Sequence, residues 1–202
     1  AGKTESWNGT NWTETTDLNT VRYLLAGAGV SNTSALAFGG ANLTAQLGNT
    51  ESWNGTNWTE LNDLNSVRQQ LAGNGTNTSA LGIGGNEPGT GITPKVESWN
   101  GTNWTEVNDI NTQRYILAAS GTDNTVALAF GVDTPPNTGK TEDWNGNNWT
   151  EIADLSTARK QLGGTGTTNA TTLAFGGATP TITTATEEFS SSSNVTKTVS
   201  TD

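Results

Sequence analysis

The chain has 202 residues, of which 31% are hydrophobic, and carries a formal net charge of -10 with only nine Lys and Arg. So acidic a surface repels phosphate backbones and anionic lipid, which excludes nucleic acid and charged membranes as expected partners. No stretch approaches the ~20 apolar residues of a spanning helix. Cys, His and Met are absent, which removes disulfides, thiolate or imidazole metal sites, Cys nucleophiles and His bases from consideration. With no Met and a start in mid-motif at Ala1-Gly2-Lys3, the expectation is a processed or partial product. The lack of oxidisable thiols fits an extracellular or virion setting.

Taken in chain order, the first element is a motif that returns. Thr4-Glu5-Ser6-Trp7-Asn8-Gly9-Thr10-Asn11-Trp12-Thr13-Glu14 recurs at 50–60, 96–106 and 141–151. A worn fifth copy at 186–197 has Phe189 and Val195 in place of the two Trp, and the offsets are 46, 46, 45 and 45 residues. That period is the size of a propeller blade. Regularly spaced Trp also argues against disorder, despite a low hydrophobic content.

Each motif reads as a hairpin, with Asn8-Gly9 as a two-residue type I′ loop. That register places Trp7 opposite Thr10 and Glu5 opposite Trp12, so the two indoles share one face on a diagonal and call for a neighbouring sheet to cover them. Next come Asp17-Leu18-Asn19-Thr20-Val21-Arg22 and a strand of small residues, Leu24 to Gly29, suited to a crowded axis. Ala35 to Gly40 follows, alternating small and large, with equivalents at 80–85, 127–131 and 172–177. Glycines interrupt every candidate helix, so the chain reads as all-β.

A strand ending in Gly-Gly, an aromatic hairpin with a second Trp, and an Arg opening the next unit together resemble the kelch repeat. Gly39-Gly40, Gly84-Gly85 and Gly176-Gly177 match its diglycine, and Gly131-Val132 departs from it. Trp12, Trp58, Trp104 and Trp149 match its Trp, and Arg22, Arg68, Arg114 and Arg159 its opening Arg. Trp7, Trp53, Trp99 and Trp144 stand where kelch repeats usually carry Tyr. The wording is also similar to kelch-like repeats in structural proteins of marine bacteriophages and their hosts. The resemblance implies a single β-propeller domain of four-stranded antiparallel blades over residues 1–202. Its four units start at Arg22, Arg68, Arg114 and Arg159 (22–60, 68–106, 114–151, 159–197), and hairpin 4–14 forms an N-terminal half-blade. Two closures are open: hairpin 4–14 completes the fourth blade, or residues 186–202 do, leaving the hairpin with inner strands absent or drawn from another subunit. An open sheet edge of that kind invites pairing.

Chemistry is sparse. Copper-oxidase propellers of this family use Cys and His ligands that are absent here, and no sialidase Asp-box is present. Glu5, Glu51, Glu97 and Glu142, like Asp17, Asp63, Asp109 and Asp154, recur once per unit, which marks them as scaffold rather than a symmetry-breaking active site. The Arg series is expected to pair with acids of adjoining blades and to satisfy loop carbonyls, and the Trp series to pack blades. Oxygen-rich Asn62-Asp63-Leu64-Asn65 and Asn108-Asp109-Ile110-Asn111 could suit Ca²⁺ but match neither EF-hand nor RTX loop spacing; no cofactor is otherwise expected. Asn8, Asn11, Asn54, Asn57, Asn100 and Asn103 head glycosylation sequons that chiefly restate turn chemistry.

The copies differ after each Gly-Gly, at 41–49, 86–95, 132–140 and 178–185, and all five Pro fall in these loops. In an antiparallel blade the loops share a face with the Asp-Leu-Asn-Thr connections, opposite the Asn-Gly turns. Variable loops on a rigid scaffold are the expected recognition surface, with Asn42, Gln46, Asn86, Glu87, Lys95, Asp133, Asn137, Lys140 and Thr181 as candidate ligand contacts. The resulting expectation is a non-enzymatic adhesion or binding module of an extracellular or virion appendage of tail-fibre type. Its partner would be a cell-surface glycan or protein receptor, or other subunits of an assembly, including copies of itself. The alternatives are an assembly subunit of a fibre or coat, and a carbohydrate-active enzyme using paired carboxylates.

Overall fold

The computed structural model describes residues 2–131, 138–168 and 170–190, and the backbone of 197–199. It opens with a separate hairpin, β1 (Glu5–Trp7) and β2 (Trp12–Glu14). Blade 1 is β3 (Ala26–Ser31), β4 (Ser34–Phe38), β5 (Thr50–Trp53) and β6 (Trp58–Glu60). Blade 2 is β7 (Ala72–Gly75) and β8 (Ala80–Ile83), then, after a two-stranded excursion of β9 (Asn86–Glu87) and β10 (Gly91–Ile92), β11 (Val96–Trp99) and β12 (Trp104–Val107). Blade 3 is β13 (Ala118–Asp123), β14 (Val126–Phe130), β15 (Thr141–Trp144) and β16 (Trp149–Glu151). Blade 4 is β17 (Gly163–Thr168) and β18 (Thr171–Phe175), the excursion β19 (Ala178–Thr179) and β20 (Thr181–Ile182), then β21 (Thr186–Ser190) and β22 (Lys197–Val199). Each blade is one antiparallel four-stranded sheet in chain order. The chain is thus a four-bladed all-β propeller arrangement with a two-stranded N-terminal sheet. Blade 4 supplies its own outer strands, β21 and β22, so the hairpin 4–14 does not complete it.

The hairpin register differs from the one expected for a two-residue loop. Trp7 lies directly opposite Trp12 and Glu5 opposite Glu14, with residues 8–11 as a four-residue turn. Only Gly9 of the Asn-Gly pair has positive φ. The Asn8 side-chain oxygen accepts from the amides of Thr10 and Asn11, each at 2.9 Å, and so closes the turn itself. The same turn recurs at Asn54, Asn100 and Asn145. The indoles remain on one face, with ring centroids 5.2–5.5 Å apart in all four pairs.

These pairs fasten blades together. In blades 1 to 3 the first indole N–H stays within its blade, Trp53 donating to Asn32 O, Trp99 to Asn77 O and Trp144 to Asn124 O. The second reaches back to the preceding unit: Trp58 to Thr4 Oγ1 and Trp104 to Thr50 Oγ1, both at 3.0 Å. Val96 has no hydroxyl to offer at that position, and Trp149 donates to Asn108 O instead. Trp104 also covers Phe38 of blade 1 at 4.8 Å. The hairpin 4–14 therefore sits on blade 1 as the outer half of blade 1 sits on blade 2.

Each blade is held by a buried ion pair, and the partner is not the one expected. Arg22 pairs with Glu51, Arg68 with Glu97, Arg114 with Glu142 and Arg159 with Glu187. These are acids of the same blade, because the antiparallel order folds the third strand back beside the opening Arg. The expected carbonyl contacts are present. Arg68 donates to Gly84 O (3.1 Å), Lys95 O (2.6 Å) and Gly82 O (3.2 Å), tying the second strand to the end of the variable loop. Glu97 also accepts from the amides of Asn65 and Ser66, so the clamp captures the connection arriving from the previous blade. Burial pushes the Arg22, Arg68 and Arg114 guanidiniums below the ordinary arginine value, against the opposing pull of the carboxylates. Glu5, the equivalent acid of the N-terminal hairpin, is exposed, since that hairpin brings no opening Arg.

The diglycine follows from the next contact. Gly40 (φ 101°) donates its N–H to Arg68 O of blade 2 at 2.9 Å, and a Cβ there would lie 2.8 Å from Tyr23 O. Only Gly accepts both the conformation and the approach.

Replacing Arg68 by Met should destabilise the fold by about 3–5 kcal/mol, because Glu97 is left buried without a counter-charge, whereas Glu5→Gln should change stability by less than about 0.5 kcal/mol. Chemical denaturation of both variants checks the contrast, and equal losses would contradict the clamp.

Candidate functional site

The first strands of the blades, β3, β7, β13 and β17, stand side by side around a channel of about 510 Å³ lined by Gly, Ala, Ser, Thr and Asn, with Leu36 as its one larger apolar side chain. Its rim on one face is stitched by backbone bonds between blades: Gln70 N to Leu24 O, Ile116 N to Gln70 O and Gln161 N to Ile116 O. These four residues all hold positive φ (54–59°), a conformation costly for side chains of this kind. Each turns the chain from its connection into the first strand.

The variable loops rise on this same face. Leu64 N bonds Gly48 O, Ile110 N bonds Pro94 O and Leu155 N bonds Gly139 O, so the loops of blades 1 to 3 are laced to the connections that follow their blades. The Asn-Gly turns lie on the opposite face, beside the turns between first and second strands, as the contacts of Gly55 with Thr33 and Gly101 with Thr78 show.

Four of the candidate residues come together on this connection face. Gln46 Nε2 donates to Asn86 Oδ1 at 3.0 Å, bridging the loops of blades 1 and 2. Beside it, Glu87 pairs with Lys95 at 3.1 Å, and Lys95 also donates to Ser66 Oγ. The others are not part of this row. The Asn42 side-chain oxygen is spent on its own turn, accepting from Thr44 and Ala45. Lys140 pairs with Glu151 of β16 at 2.7 Å, which holds its ammonium above the ordinary lysine value. Thr181 is exposed on β20. Asp133 and Asn137 lie outside the described residues.

Residues that periodicity did not single out give the face its apolar character. Of the eleven exposed large apolar side chains among the described residues, Val21, Tyr23, Leu24, Leu43, Val67 and Ile182 are on this face. Leu43 and Ile182, at the loop tips of blades 1 and 4, are over 90% exposed. Val21, Tyr23, Asn42, Leu43 and Thr44 line a cleft of about 460 Å³ in which an aromatic ring and an aliphatic tip flank amide and hydroxyl groups. Tyr23 Oη donates to Asn42 O at 3.3 Å, which fixes the ring against the loop.

The recurrent Asn side chains in the connections act as inter-blade bonds. Asn62 donates to Thr102 O and Asn103 Oδ1, and Asn65 to Glu97 and Trp104 O. Asp63 accepts from Thr50 N. Among the described residues, no three His, Cys, Asp or Glu side chains cluster as metal ligands would, and no helix is long and apolar enough to cross a membrane. Compared with known protein families the sequence matches none, and it matches no curated protein.

Gln46→Ala removes the one side-chain bridge seen between the loops of blades 1 and 2. It should cost about 0.5–1.5 kcal/mol and speed amide hydrogen exchange in residues 86–95 while leaving the strands of blade 2 protected. Unchanged exchange in that loop would show that the bridge does not order it.

Proposed function

We propose that this chain is a non-enzymatic, kelch-like binding module that recognises its ligand on the connection face, through the loops that follow each second strand. The observation that carries this reading is the gathering of nearly all variation between repeats on one face of a scaffold whose other residues repeat almost unchanged. Recognition by loops on a rigid frame is the common arrangement. The cleft of Tyr23, Leu43, Asn42 and Thr44 offers an aromatic face and an aliphatic tip for apolar contact, on a loop that Asn42 Oδ1 holds in shape by accepting from Thr44 and Ala45. That is the chemistry of a neutral glycan or of an uncharged patch on a protein receptor. The net charge of -10 disfavours polyanionic ligands. A thiol-free composition and the repeat's likeness to phage structural proteins support placement outside the cell, as an adhesive part of a virion or surface appendage.

Glycan-array and cell-surface binding assays test this. Replacing the loops 41–49, 86–95, 132–140 and 178–185 by one common sequence, with all strands kept, should abolish binding while the thermal transition is retained. Tyr23→Ala with Leu43→Ser should weaken binding about tenfold or more, as loss of an anchoring contact does. Full binding by the loop-replaced protein, or turnover of a bound glycan, would overturn the proposal.

A further inference from the structure

Four side chains stand where the backbone favours glycine. Leu24, Gln70, Ile116 and Gln161 hold φ of 54–59°, and every other positive-φ residue among the described residues is a Gly. A β-branched residue such as Ile116 is an outlier in this region. The chain has 25 Gly to place, yet none falls here. The backbone bonds of the rim, Gln70 N to Leu24 O and Ile116 N to Gln70 O, would form equally well with Gly. Burial does not account for the side chains either: Leu24 and Gln161 are exposed, and Gln70 and Ile116 are half-buried. What the four share is their place, at the mouth of the axial channel on the connection face. Strain held without burial in return points to function.

The chemistry of the mouth narrows the ligand. From blade 1 to blade 4 the order is Leu, Gln, Ile, Gln, so aliphatic and amide groups alternate and none of the four is charged. Other loop amides are spent, Gln46 on Asn86 and Asn42 on its own turn. The side-chain amides of Gln70 and Gln161 meet no partner among the described residues, and keep donors and acceptors to offer. Below the mouth, the channel of about 510 Å³ is walled chiefly by Gly, Ala, Ser and Thr, a volume that suits a small ligand group. Tyr23, one residue outward from Leu24, carries the surface on to the cleft beside Leu43. An axial opening flanked by all four blades admits the end of a chain. A peptide ends in an ammonium or a carboxylate, and no side chain of the four would neutralise either. A neutral glycan ends in a ring with C–H faces and hydroxyl edges, which alternating aliphatic and amide groups complement.

We propose that the mouth of the axial channel seats the non-reducing terminal sugar of a neutral glycan. The Gln70 and Gln161 amides bond its hydroxyls, Leu24 and Ile116 pack on its C–H surface, and the following sugars run over Tyr23 toward Leu43. This rests on the reading that the connection face binds the ligand, and adds that a chain end is what it recognises.

Glycan-array binding, followed by calorimetric titration with the tightest-binding neutral oligosaccharide, tests this. Removing the non-reducing terminal sugar should abolish binding, whereas shortening the other end should weaken it less. Leu24→Gly, Gln70→Gly, Ile116→Gly and Gln161→Gly combined should not lower the thermal midpoint, because relief of strain offsets the freedom glycine adds to the unfolded chain. The same quadruple variant should bind about tenfold or more weakly, as loss of anchoring contacts does. Gln70→Glu with Gln161→Glu, which keeps the shape and replaces amide donors by charge, should weaken binding likewise. A lowered midpoint in the quadruple variant would show that the side chains are kept for packing and would overturn the proposal, as would undiminished binding after the terminal sugar is removed. Full binding by the quadruple variant, with the loop-replaced protein inactive, sinks the axial seat and leaves the loop reading standing. So does a chain that binds protein receptors but no neutral glycan, whereas one that binds neither overturns both.

Discussion

A guanidinium-carboxylate pair sealed inside each blade organises everything around it. Taking two charges out of water costs several kcal/mol per ion, and the cost is recovered only when every remaining donor and acceptor is well placed. That demand fixes the surroundings. Arg68 requires carbonyls from the second strand, the diglycine and the end of the variable loop, while Glu97 requires the amides of the incoming connection. Three segments, 65–68, 82–84 and 95–97, are brought to one point. The loop between those fixed points can vary, because its stem is gripped from inside.

Hydrophobic contact plays the second part, between blades. The indole pairs bury apolar area and spend each N–H on a defined acceptor, one inside the blade and one in its predecessor. Direction is thereby built into the array: each unit grips the one before it. Stability in such a chain is close to a sum of unit and nearest-neighbour contributions.

The strands, the period and the sidedness of the loops were legible in the sequence because they repeat. Trp7 and its three counterparts and the Arg series each occur once per unit, the Gly-Gly pair in three units of the four, and features repeated so regularly are hard to mistake. What escaped has physical reasons. The Asn-Gly pair suggested a two-residue loop, but the Asn8 carbonyl oxygen closes a longer turn with its own chain, and spacing alone does not distinguish the two. The acid paired with Arg22 is 29 residues away, nearer in space than Asp17 only after the sheet order is known. Leu43 and Ile182 lie in the variable loops and belong to no repeated position, and Tyr23 fills a position occupied by Gln69, Tyr115 and Lys160 in the other units, so periodicity, the strongest signal in this sequence, passes over them. Of the candidate contacts, Gln46 and Asn86 meet because loops of neighbouring blades touch, Glu87 and Lys95 pair within one loop, and Asn42 and Lys140 are engaged locally.

The clamp also separates the unit of sequence from the unit of construction. Its Arg and Glu lie in one blade, and the amides it captures belong to the connection entering that blade. A segment running from one connection to the next therefore carries its own fastening at both points, and Glu5 shows an acid at that position left exposed in a hairpin with no opening Arg. Duplication or deletion of such a segment transfers a complete fastening, with no compensating change needed in its neighbours. Gene-level gain and loss of blades, with loops exchanged between alleles at the same cut points, is a route of diversification that this architecture leaves open.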